Sequence, residues 1–260
     1  MTNLQLNEPK VHLVVPDSHA HPDHNNDRAD WLGQLIADLK PDVVVNIGDM
    51  FDMPSMNGYE SGKKTWGRNF YSDLKAGLDF DERMWAPIRK AKKKRPRGVF
   101  LEGNHEYRLK RALNAQPELE GTIAFSDFDL KRNYHDVVEY DADTPGVINV
   151  DGIHYAHYFI SGIMGRAISG EHPAYTLISK LGSSATAGHS HTRDFCMRND
   201  INGNRRLGMV CGVYQDYDSD WAGGRNDLWW RGVVVKREVQ GGGYDHQWIS
   251  LEALKKEYGS

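Results

Sequence analysis

Three short apolar runs, separated by stretches with helical spacing, restrict most severely what this chain can become. They are Val11 to Val15, Val43 to Ile47, and Gly98 to Glu102, each rich in valine or aromatic residues. Runs this short, with no polar alternation, predict strands buried on both faces. Between the first two, Trp31, Leu32, Leu35, Ile36 and Leu39 share one face of a helix over 27–39. A longer helical region follows from about Gly67 to Lys94, with Pro87 expected to kink it. Glu106 to Leu113 opens another helix. Strand, helix, strand, helix in this order predicts parallel strands joined by crossover helices.

From Tyr134 onward the pattern changes. Strands are expected near 134–140, 146–150, 152–157, 184–187, 193–197, 206–213, 229–238 and 244–250, with one helix around 173–181. Their close spacing predicts hairpins and mostly antiparallel pairing. The layout predicts an α/β fold of four layers, an αββα sandwich in which two mixed sheets pack face to face with helices outside. No repeat or linker divides the 260 residues, so one domain over 1–260 is expected. Cys196 and Cys211 are too few for a disulfide framework, and no window approaches the roughly 20 apolar residues of a membrane span. A cytoplasmic protein with no membrane partner is expected. The formal charge of −4 excludes a general attraction to nucleic acid or anionic lipid. The run from Arg89 to Arg95 is a local exception. It reads first as a solvated helix end complementing the dipole, and second as a contact for a phosphate backbone.

Acids, amides and histidines recur where strands end. Asp17 and His19 follow the first strand, and Asp49 and Asp52 the second. Asn104 and His105 follow the third, and His157, His189 and His191 close two later ones. The carboxyl edge of an open α/β sheet is where separate loops converge on one point. Carboxylate and amide oxygens mixed with imidazoles suit manganese, with iron, zinc or nickel as alternatives, and the absence of thiolates disfavours a structural zinc. Two divalent ions roughly 3.5–4 Å apart need a bridging ligand, for which Asp49 is the natural choice.

Asp17-x-His19, Gly48-Asp49-x-x-Asp52, Gly103-Asn104-His105-Glu106, His157 and Gly188-His189-x-His191 resemble, in order, the five blocks of the calcineurin-like metallophosphoesterase superfamily. The resemblance implies that Asp17, His19 and His191 hold one ion and that Asn104, His157 and His189 hold the other, with Asp49 between them. It also implies that His105 donates a proton or hydrogen bond to the substrate, that Asp52 holds His105, and that a metal-bridging hydroxide attacks phosphorus. Met53 and Pro54 stand where phosphoprotein phosphatases carry Arg-Gly, which counts against a serine/threonine phosphatase. Gly-Asp-Met-Phe-Asp is nearer the form in SbcD-like nucleases, and small phage and bacterial phosphoesterases are the nearest overall comparison. A nucleotide or nucleic-acid phosphate ester is therefore the expected substrate, in a host cytoplasm if the chain is phage-encoded.

His19, His21, Asp23 and His24 also match the signature of metallo-β-lactamase-fold hydrolases, a rival that leaves Asn104 unused. A non-catalytic metal scaffold is a further alternative, disfavoured by His105 and Asp52. His12 and His154 lie within strands and read as core groups. Arg108, Arg166 and His21 are candidate substrate contacts, each with a surface or packing role as the alternative.

Overall fold

The computed structural model describes residues 8–57, 67–91 and 94–259. The first half follows its periodicity closely: β1 (Lys10–Val15), α1 (Asp27–Leu39), β2 (Val43–Asn46), α2 (Phe70–Lys90), β3 (Arg97–Leu101) and α3 (Tyr107–Ala115). Asn69 starts α2 by accepting the Ser72 N–H at 2.9 Å, and Pro87 falls in its last turn. Lys92 and Lys93, within the expected basic run, lie outside the described residues, as do residues 1–7.

The second half supplies β4 (Asp136–Val138), β5 (Ile148–Val150), β6 (Ile153–Tyr155), a short hairpin of β7 (Ile160–Ser161) and β8 (Arg166–Ala167), and α4 (Pro173–Leu181). It continues with β9 (Ala185–Ala187), β10 (Arg193–Asn199), β11 (Arg205–Cys211), β12 (Gly232–Gln240), β13 (Gly243–Ser250) and α5 (Leu251–Tyr258). These strands divide between two mixed sheets, ordered β13-β12-β1-β2-β3-β4 and β10-β11-β9-β6-β5. The hairpins are antiparallel as expected, but β6, β9 and β11 pair in parallel at the centre of the second sheet. Parallel neighbours need crossover connections, which α4 provides between β6 and β9.

Strand alternation sorts the core into three layers. Leu13, Val15, Val44 and Phe100 face α1, α2 and α5, where they meet Leu32, Ile36, Phe80, Trp85 and Leu254. Their neighbours Val14, Val45, Val99 and Leu101 face the second sheet, against Ile153, Tyr155, Leu207 and Met209. A smaller cluster, including Leu177, Ala185 and Val210, packs α4 on the outer face of that sheet. Three apolar seams define four layers, the αββα sandwich. Among the described residues no helix is long and apolar enough to cross a membrane.

His12 is a hydrogen-bonded core group in the seam between the sheets. Its Nδ1 lies 2.9 Å from the Tyr155 hydroxyl and its Nε2 3.0 Å from Asp151. A neutral ring satisfies both contacts, accepting from the hydroxyl at Nδ1 and donating from Nε2. Burial and the nearby Lys236 ammonium hold its pKa down at about 4, outweighing Asp151. A histidine depressed in the fold stabilises above its unfolded pKa near 6.5, and that contribution drains away as the pH falls through 4. Between pH 6.5 and 4 the protein is expected to lose about 3 kcal/mol through this residue. Urea unfolding of the parent and His12→Gln across that window checks it; parallel profiles would remove the assignment.

Candidate metal centre

Both sheets deliver their carboxyl edges to one place. β1, β2 and β3 run into Asp17 and His19, Asp49 and Asp52, and Asn104 and His105; β6 and β9 run into His157, and His189 with His191. The loops are tightly wound. His19, Asp49, His189 and His191 all take left-handed backbone conformations, with φ of 44°, 51°, 68° and 61°. Asp and His tolerate that region better than most residues, but each such residue costs on the order of 1–3 kcal/mol.

The close approach depends on two glycines. A Cβ on Gly103 would stand 2.2 Å from Asp49 Oδ1, and one on Gly188 would stand 2.3 Å from Asp17 Oδ1. Glycine is therefore required at both positions by packing against a carboxylate.

Two ligand groups result. Asp17, His19 and His191 bring donor atoms within 4.8 Å of one another, as do Asp49, His157 and His189. Asn104 joins the second group, its Oδ1 lying 2.9 Å from His157 Nε2 and 2.8 Å from His189 Nδ1. Asp49 Oδ1 accepts the His105 N–H at 2.8 Å, while Oδ2 faces His157 Nε2 at 3.3 Å. Oδ2 is thus the oxygen of Asp49 left to face the second group. Donor atoms of His19, Asp49 and His105 also lie within 4.8 Å of one another. There, however, Arg108 Nη2 lies 3.0 Å from His105 Nε2, a cation in the place an ion would take.

The residues fit metal ions on several counts. Asp17 Oδ1 is buried without a hydrogen-bond partner, and such an orphan is costly unless something is bound there. His157 is anchored through Nδ1 to the Ile47 carbonyl at 3.0 Å, which turns Nε2 toward Asn104 and Asp49, as a ligating imidazole is turned. Burial opposes ionisation of Asp17, Asp49 and Asp52, yet the surrounding imidazoles hold all three below the usual carboxylate range. Burial likewise opposes a charge on His157, and the Asp49 and Asp17 carboxylates lift it to about 9. That field attracts positive charge, whether a proton or a divalent ion.

Asp52 stands outside the two groups and serves two histidines. Its Oδ1 lies 2.8 Å from His19 Nδ1 and 3.1 Å from His105 Nδ1, and its backbone carbonyl is 2.7 Å from the latter. Although burial opposes it, Asp49 and Asp52 raise the pKa of His105 and Arg108 works against them. The contact with Arg108 requires a bare Nε2, so the geometry is that of the Nδ1–H tautomer, with Nε2 directed at the guanidinium.

Arg108 also donates to the carbonyls of Asp52 and Met53, and it borders two clefts. One, of about 470 Å³, holds His21, His24, Asp52, His105 and Trp221; the other, of about 430 Å³, holds Asn104, Tyr158 and His189. His21 lines the first cleft as expected. Arg166 is exposed on β8, and its hairpin reaches the second cleft through Ile160, Gly165 and Ala167 instead. His24 stacks on Tyr217, with ring centroids 3.7 Å apart. Among the described residues, none of the groupings that could hold an ion includes His21, Asp23 or His24. His154 contacts Asn149 and Ser183, outside the site.

Two buried residues brace the site: Glu106, the last residue of the third block, and Arg28, which lies in none of the blocks. Glu106 accepts the N–H groups of Asp49, Phe51 and Gly103 at 2.9–3.0 Å. Burial and the Asp49 carboxylate push its pKa up to about 7, so its ionised form depends on positive charge nearby. Arg28 is fully buried and donates to the carbonyls of Ser18, Asn25 and Tyr214, with Asp216 at 3.0 Å. The available signal was an arginine one turn before Leu32, on the apolar stripe of α1.

No family model matches the chain, and no curated protein sequence does. Among solved structures the chain is similar to the crystal structure of TT1561 of Thermus thermophilus, at 10% identity and a TM-score of 0.35. The alignment covers 92% of this chain and 98% of that one. At that degree of superposition the likeness assigns neither fold nor function.

Proposed function

We propose that the chain is a dinuclear metal-dependent hydrolase of phosphate esters, of the calcineurin-like type, with nucleotide or nucleic-acid esters as the favoured substrates. The observation that carries this reading is the pair of adjacent ligand groups joined at Asp49, with His105 and Asp52 beside them on the wall of an open cleft. Asp17, His19 and His191 would hold one ion, and Asn104, His157 and His189 the other. Bound there, divalent ions such as manganese would supply Lewis acidity and bring the pKa of water toward neutrality.

The chain's own groups supply the rest. Asp52 fixes His105 through Nδ1 and Nε2 faces the Arg108 guanidinium; once Arg108 turns to a phosphate oxygen, Nε2 is free to carry a proton and give it to a leaving oxygen. Arg108 lies beside the same nitrogen and can pair with a phosphate oxygen that enters between them. Buried Asp17 and Asp49 exclude bulk water from the ligand side, and Glu106 and Arg28 hold the loops in register.

The test is turnover of bis-p-nitrophenyl phosphate with manganese, iron(II), zinc or nickel. No turnover with any of them would leave the scaffold alternative. His105→Ala is expected to lower kcat by about 10²–10⁴-fold, the range for loss of a general acid, with metal stoichiometry unchanged. Comparing p-nitrophenyl phosphate, cyclic nucleotides and single-stranded DNA then ranks the substrate classes.

A further inference from the structure

At the opposite edge of the first sheet, where β1, β2 and β3 begin, Lys10, Lys40, Asp42, Lys94, Arg95 and Arg97 line a groove of about 650 Å³. The strands are four to six residues long, so the groove lies roughly 13–20 Å from the metal centre, across the length of the sheet. We infer that this groove binds the phosphodiester backbone of a nucleic-acid strand, at a site separate from the metal centre.

The basic run at the end of α2 does not stand alone. Folding brings its last residues, Lys94 and Arg95, beside Lys40 from the end of α1 and Lys10 from the start of β1. Complementing the helix dipoles does not account for this much charge. α1 and α2 both end at this edge, and each contributes roughly half a negative charge. Lys10 is already paired with Asp151 and Arg97 with Asp136, both at 2.7 Å. Lys40, Lys94 and Arg95 have no carboxylate partner among the described residues, and only Asp42 opposes them within the groove. The three exceed the two helix ends and that one acid together, on a chain whose net charge is −4.

Arg95 adds a second observation. Its guanidinium is held over the Trp85 ring at 4.9 Å and donates to Arg132 O and Asn133 Oδ1. A cation fixed in place and flanked by two exposed lysines is the chemistry of phosphate contact without base readout.

Binding is measured by fluorescence anisotropy of the full chain with a fluorescein-labelled phosphorothioate single strand, which resists hydrolysis. Three phosphate contacts predict that affinity weakens about 20-fold between 50 and 200 mM salt. Lys40→Glu with Lys94→Glu, both at exposed positions, is expected to weaken binding at 50 mM salt at least tenfold and to flatten the salt slope by about 1.4. The thermal unfolding midpoint of that variant should match the parent's, which reports that it folds, and any turnover of bis-p-nitrophenyl phosphate should be unchanged. No binding at 50 mM salt, or equal binding by parent and variant, overturns the inference. Neither result depends on whether the chain hydrolyses phosphate esters, because that activity is read separately.

Discussion

Alanine at Asn104 is expected to lower metal-dependent kcat/KM by about 10³-fold, equivalent to about 4 kcal/mol of lost transition-state stabilisation. Its amide oxygen is shared by buried His157 and exposed His189, so removing it takes away the one oxygen both imidazoles face. His191→Ala should act similarly at the other group, where the ring lies 3.2 Å from Asp17 Oδ2. Alanine at His21 or His24 should instead retain most of the activity, within about tenfold, because both rings line the cleft and take no part in either ligand group. The informative measurement combines kcat/KM over a manganese titration with bound metal per chain. If His21 and His24 prove essential and Asn104 dispensable, the ligands belong to the His19–His24 segment and the assignment to Asn104 and His191 is lost.

Glu106→Ala is expected to destabilise the fold by about 4 kcal/mol and lower Tm by about 10 °C. Three buried N–H groups would lose their acceptor together, and the left-handed turn at Asp49 would lose the clamp that holds it. Glu106→Gln should be milder, because one amide oxygen at the Oε2 position still serves Asp49 and Gly103 while Phe51 goes unpaired. In both variants metal retention during gel filtration should fall with stability. Thermal unfolding and metal analysis read the two effects, and parent-like values in the alanine variant would show that the clamp is dispensable.

How much of this was legible beforehand depended on the length scale. The first half could be read because Val11–Val15 and Val43–Ile47 are uninterrupted apolar runs and α1 and α2 have sustained 3.6-residue periodicity. In the second half β5, β6 and β9 are three residues each, too short for alternation to reveal a partner, so the parallel centre of that sheet was not foreseen. α5 was missed because only Leu251 and Leu254 of its eight residues are buried. The candidate ligands were legible because their residue types are uncommon together after strands. Glu106 and Arg28 were not recognised as braces, because their partners are backbone groups, which leave no trace in residue identity. The left-handed turns at His19, Asp49, His189 and His191 were hidden for the same reason.

The position of β1 has a consequence for how the chain must be made. β1 lies between β2, which begins 28 residues after Val15, and β12, which begins more than 200 residues later. Until β12 has emerged from the ribosome, one edge of β1 offers a row of unpaired amides beside Leu13, Val14 and Val15, a surface prone to wrong pairing. The loop bearing Asp17 and His19 is equally unfinished, since Tyr214 N–H and the Tyr217 hydroxyl donate to the carbonyls of those two residues. At synthesis rates of about 5–20 residues per second, that exposure lasts on the order of ten seconds or more. The nascent protein must pass this interval with its first strand half-covered, and only then can the site close.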